Sequence, residues 1–140
     1  MSPTDIVRDY FECWDRHDWE RARSLMHSQY SFTDSDGREL SAEATLAEAQ
    51  MYTAAFPDSH FDIKTLRSDG DFVTAEFVVT GTHKGDLMGI SPTNKKVSMP
   101  GCAVIELRDG KVHRERGYMD MMHLMKQLGV APEPASVRSR

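Results

Sequence analysis

The sequence predicts an α+β fold in which a strongly curved antiparallel sheet forms an open, cone-shaped half-barrel with three N-terminal helices packed in its concave face. Three observations carry this. Apolar residues recur at helical spacing early in the chain, as in Ile6, Val7, Tyr10, Phe11 and Trp14. The second half alternates instead: in "DFVTAEFVVTGTH" one face carries Val73, Ala75, Phe77, Val79, Gly81 and His83, the other Thr74, Glu76, Thr80 and Thr82. Two Asp-Gly pairs, in "RSDGDF" and "LRDGKV", separate alternating runs and signal tight hairpins.

Taken in order, Thr4 is read as the N-cap of a first helix running to about His17. Asp18 caps a short second helix through Trp19, Leu25 and Met26, and "YSFTD" is a brief strand before the turn "SDGR". Ser41 opens a third helix with Ala44, Ala47, Met51 and Ala55 on one side, closed by Pro57. Strands follow at 59–67, 71–83, 96–107 and 111–119, with Val97, Met99, Gly101, Ala103, Ile105 and Leu107 turned inward on the third of them. Val112, Arg114, Arg116 and Tyr118 share one parity on the fourth, so Arg116 points inward with Val112 and Tyr118 unless a bulge breaks the phase. A methionine-rich helix begins at Asp120. The organisation is one domain over 1–130, and the Pro-, Ser- and charge-containing stretch 131–140 has nothing to bury and reads as a disordered tail.

Composition narrows the function. The net charge is −5 with basic residues scattered, so there is no stripe for a nucleic-acid backbone or an anionic membrane. No apolar run nears the roughly 20 residues of a membrane span, and the first ten residues lack an apolar signal core, which points to a cytoplasmic chain. Cys13 and Cys102 stand alone, without metal-ligand spacing, and read as small buried hydrophobes. The loop "KGDLMGISPTNK" is long enough to hang over a pocket; Gly81, Gly85 and Gly89 give it freedom, and Met88 and Ile90 are the side chains to close on a ligand.

An ordered set of short motifs then resembles a known family. Phe-Pro-Asp at 56–58, Gly-Thr-His-x-Gly at 81–85, Pro-Thr at 92–93, Asp-Gly-Lys at 109–111 and an Asp ahead of Gln-Leu-Gly at 127–129 are similar to the SnoaL-like polyketide cyclases, or ester cyclases, of the nuclear-transport-factor-like superfamily. The similarity runs in register over roughly 51–129, and the first 50 residues agree in layout. It implies a cone-shaped cavity, cofactor-free chemistry without a metal, and intramolecular aldol closure of a polyketide ester, with Asp120 at the position of the family's general acid/base. It also implies a hydrophobic small molecule as partner. The chain departs from the family where Glu115 stands in place of a frequent His and Met119 in place of an aromatic residue. The Arg-x-Asp pair of related epoxide hydrolases is missing.

An aldol closure needs a base for a proton α to a carbonyl and an acid for the oxygen that becomes an alkoxide. Asp120 in an apolar cavity could serve both, because desolvation raises a carboxyl pKa. His83 is the second candidate, as donor or orienting group. Asp34 is an alternative base, near where ketosteroid isomerases carry theirs. Tyr10, Trp14, Met51, Tyr52, Phe56, Phe77, Met88, Met99, Arg116 and Tyr118 are the candidate substrate contacts. Against these stand plainer readings: Asp120 as a helix cap, His83 as a turn residue, and the aromatic residues as core. A non-catalytic ligand-binding protein and an interaction protein with a filled cone are the competing functions. The partly apolar outer strand faces, with Thr74, Val78, Thr80, Cys102 and Val104, predict a homodimer formed sheet against sheet.

Overall fold

A computed structural model describes residues 1–130, and the expected tail at 131–140 lies outside them. The first helix, α1 (Pro3–Arg16), is capped two residues before Thr4. Ser2 caps it in a reciprocal box, its Oγ accepting from the Asp5 N–H while the Asp5 carboxylate accepts from the Ser2 N–H. Pro3 explains the shift, because its fixed φ and missing N–H suit the first helical position. Asp18 caps α2 (Trp19–Leu25) as the sequence indicates.

Met26 leaves the helix and opens β1 (Met26–Thr33), a strand longer than "YSFTD" suggests. A two-residue β2 (Glu39–Leu40) follows, then α3 (Ala42–Ala55), capped by Ser41. The hairpins are β3 (His60–Asp69) with β4 (Phe72–Thr82), and β5 (Lys96–Arg108) with β6 (Lys111–Met119). The helix α4 (Met121–Leu128) ends on Gly129 at φ 79°. The first hairpin turns on Gly70-Asp71, one residue later than expected, because Asp69 pairs with Phe72. The second turns on Asp109-Gly110, both at positive φ, as a type I′ turn requires.

The six strands form one open sheet in the order β2-β1-β6-β5-β4-β3. It is not wholly antiparallel, since β1 runs parallel to β6. The face assigned to α3 also needs correction. Ala44 and Ala47 are exposed, while Thr45, Leu46, Ala49 and Tyr52 are half-buried. Leu46, Ala49 and Tyr52 pack against the core. Alanines lie all round this helix, so its sequence carries no directional stripe to read.

One irregularity decides what faces the cone. Glu106 pairs with Arg114 but Leu107 pairs with Val112, so His113 is an extra residue and the phase of β6 breaks there. Val112 and Glu115 are therefore both buried. Arg116 and Tyr118 stand on the convex face, with Arg116 paired to Glu106 at 2.8 Å and Tyr118 48% exposed. The inward orientation that the unbroken parity gives them is thus corrected.

The buried apolar side chains form two clusters. One joins α1 and α2 to the concave faces of β1, β4, β5 and β6. The other joins the end of α3 to α4, Leu87, Val97 and Met99. Half-buried Val79 and Met119 pack against both, which places a seam between them.

Candidate functional site

Glu115 is the only buried carboxylate residue among the described residues. Strand β6 presents it on the concave face, and two phenols from different elements meet it there. Tyr10 of α1 and Tyr30 of β1 donate to the same oxygen, Oε1, at 2.8 and 2.7 Å, and their own oxygens lie 3.4 Å apart. Burial pushes the Glu115 carboxyl above the usual carboxylate range, more than the two phenol hydrogen bonds pull it down. Burial likewise raises both tyrosines. Thr45 of α3 stands beside Tyr30 and acts on its phenol, but makes no well-formed hydrogen bond, so its Oγ1 is a sealed atom without a partner.

The second carboxylate oxygen is different. Oε2 has no hydrogen-bond partner among the described residues, yet it is not among the sealed unpartnered atoms, which are Thr45 Oγ1, His83 Nε2 and His113 Nε2. Glu115 as a whole keeps 8% of its surface. Its open side is thus Oε2.

Half-buried Phe32, Leu46 and Ala49 pack on the first cluster, Tyr52 on the second, and Val79 and Met119 on both. Two glycines make room on the sheet below. A Cβ at Gly117 would lie 2.9 Å from the Phe32 ring, and one at Gly101 2.5 Å from the ring of Phe77. Two shallow surface depressions of about 400 Å³ open elsewhere, one around His27 and Asp109, the other around Asp58 and Gln127. Neither is lined by Glu115 and both lie open to solvent, so the buried cluster is the better site.

The expected residues divide. Tyr10 is in the cluster, whereas Tyr52 packs on the second apolar cluster, and Met51 is half-buried on α3. Trp14, Phe56, Phe77 and Met99 are buried at 9% exposure or less and act as core. Met88 is exposed at the loop tip. Asp120 is exposed, and its Oδ1 accepts from the His123 N–H at 3.1 Å as the cap of α4. Asp34 is engaged in its own turn: the Arg38 N–H foremost, then its guanidinium and the Asp36 N–H, hold its carboxyl below the usual range.

His83 is fully buried and its Nδ1 accepts from the Thr93 N–H at 3.2 Å, which puts the ring proton on Nε2, a sealed atom without a partner. Its immediate effect is to pin the loop 83–95, together with hydrogen bonds from the Lys84 and Gly85 N–H groups to the Ala55 carbonyl. Other motif residues are structural in the same way. Asp58 accepts from the Thr82 N–H and hydroxyl, and the Gln127 amide clamps both backbone groups of Ser98. Glu115 was not singled out by the sequence as a site residue. The signal was present as an acid three residues after Val112, but only the bulge turns both to the same side.

The SnoaL-like polyketide cyclase family model matches residues 4–128. The chain belongs to that family. Among curated relatives, the aklanonic acid methyl ester cyclase AcmA of Streptomyces galilaeus is 25% identical, covering 88% of each chain. DauD of Streptomyces sp. strain C5, with the same named activity, is 28% identical over 92% of this chain and 83% of its own. Among solved structures, AclR of Streptomyces galilaeus, a candidate hydroxylase, superposes with a TM-score of 0.86 at 25% identity, covering 98% of this chain and 91% of that one. IdmH of Streptomyces antibioticus, a candidate polyketide cyclase, gives 0.83 at 25%, covering 93% and 100%.

Proposed function

We propose that this cyclase closes a ring in the methyl ester of a hydrophobic polyketide acid by cofactor-independent aldol chemistry. The observation that carries the reading is the family match across 4–128, with methyl ester cyclases among the relatives. The chemistry agrees with it. A methyl ester keeps the acid neutral in an apolar cleft and acidifies the neighbouring C–H, so a carboxylate can remove that proton. The resulting carbanion attacks a ketone or aldehyde carbon within the same molecule, one C–C bond forms, and the carbonyl oxygen takes up a proton. Asp120, at the end of β6, is the base that the family resemblance assigns, acting from the rim. His83 acts indirectly, by holding the loop. The active form is a homodimer.

The product is an isomer of the substrate, and this makes the assay decisive. Purified protein is incubated with a linear polyketide methyl ester in the presence of chelator, and products are followed by chromatography with mass detection. A new species of unchanged mass is expected. A product that gains an oxygen supports hydroxylase chemistry instead, which the AclR likeness makes a fair competitor because one fold hosts several reactions. The exposed, capping position of Asp120 favours a second reading, non-catalytic binding of the same esters. Saturable binding without turnover would select it.

A further inference from the structure

Both phenol O–H groups of the buried cluster point at one carboxyl oxygen of Glu115, and the other oxygen is open. The two phenols occupy the acceptor sites of Oε1, an arrangement that suits a carboxylic acid accepting them on its carbonyl oxygen and keeping its proton on the other. We propose that Glu115 is a catalytic acid of the ring closure, neutral at rest, whose Oε2–H donates to the substrate carbonyl that becomes the alkoxide. This rests on the cyclase reading for its reaction. Tyr10 and Tyr30 are the positioning residues. They fix which oxygen is the carbonyl and which carries the proton.

Three further observations support it. Burial favours the uncharged carboxyl. Among the described residues no Lys or Arg hydrogen-bonds or ion-pairs with Glu115, the nearest basic residues on β6, Arg114 and Arg116, being engaged by Ser31 and Glu106. The apolar edge of Phe32, Leu46, Ala49 and Met119 suits a ring-bearing substrate. The step balances. The base takes a proton from the α-carbon and the C–C bond forms. The carbonyl π pair moves to its oxygen, and that oxygen takes the Oε2 proton. Product release lets Glu115 regain a proton from solvent while the base loses one, so the net change is isomerisation.

The test has a static arm and a kinetic arm. Infrared difference spectra of wild type against Glu115→Gln at neutral pH should show a carboxylic acid C=O band that the variant lacks; a carboxylate signature in its place overturns the proposal. The probe for the open oxygen is methyl 2-naphthoate, a fluorescent aromatic ester that cannot cyclise. Glu115→Gln retains an N–H donor and should bind it within about threefold of wild type, while Glu115→Leu should bind about tenfold more weakly. Equal binding by wild type and Glu115→Leu, whether strong or undetectable, overturns it.

In turnover, Glu115→Gln should lose about two to four orders of magnitude in kcat with KM within about threefold, because only proton transfer is removed. Unchanged kcat overturns it. The amide accepts the same two phenol protons, so this variant stays informative even where Glu115→Leu does not fold. If wild type cyclises no ester, the cyclase reading fails, and the infrared and binding arms still decide whether Glu115 is a neutral donor.

Discussion

At the scale of single residues, Glu115 ties the fold to pH. Its folded pKa is raised above the unfolded value, so between the two the folded state binds more protons than the unfolded state. By linkage, stability is highest below the unfolded pKa and falls as pH rises through the folded one. Glu115→Gln cannot ionise and should melt higher than wild type at pH 8, by about 3–5 °C for each kcal/mol of relieved cost, with the gap closing near pH 4. Calorimetry across that range measures it, and a gap that widens toward acid would contradict the buried-acid assignment. Asp120 calls for a different pair of variants. As a cap it should lose about 1 kcal/mol on Asp120→Ala and almost nothing on Asp120→Asn, since asparagine caps equally well. As a base it should lose about two to four orders of turnover in both. Melting and turnover of the two variants separate the roles.

At the scale of elements, most helix and strand types were legible because local chemistry specifies them. Asp18 and Ser41 cap as read, and the alternation of β4 places Val73, Ala75 and Phe77 inside. What was not legible depends on contacts between distant segments. The parallel pairing of β1 with β6 has no local signature, and the bulge at His113 appears only when β6 is paired with β5. The candidate site suffered most, because Glu115, Tyr10 and Tyr30 are separated by 85 and 105 residues in the chain and meet only in the fold. The recognisable motifs pointed elsewhere. Asp58, His83 with Thr93, and Gln127 hold loops and helix ends, so they mark the scaffold more strongly than the chemistry. The loop 83–95 illustrates this. Its base is pinned and Leu87 is fully buried, leaving the tip around exposed Met88 free to respond. Hydrogen exchange should therefore slow at 86–92 when methyl 2-naphthoate is added, with 83–85 already protected. Unchanged exchange at the tip would remove the lid from the mechanism.

At the scale of the whole molecule, the convex face of the sheet is the surface with most to gain from a partner. Val78, Cys102 and Val104 are half-buried there, with Tyr118 exposed beside them, and β4, β5 and β6 keep them in adjacent rows. Four strands about 4.8 Å apart and roughly ten residues long give a plate on the order of 600 Å² in projection, more with side-chain relief. A standard interface takes about 800 Å² from each partner, so two such plates are close to sufficient. The polar rows also fit a two-fold arrangement, because Glu76 on one plate can oppose Arg114 on the other when a single patch faces itself, the Glu106–Arg116 pair being closed within each chain. Sedimentation at micromolar concentration should give the mass of two chains. Val104→Asp places a charge at the centre of the plate without touching the concave face. It should shift the protein toward monomer while leaving the infrared signature of Glu115 in place. A monomer in wild type would end the sheet-to-sheet model. A dimer that survives Val104→Asp would move the interface to another surface.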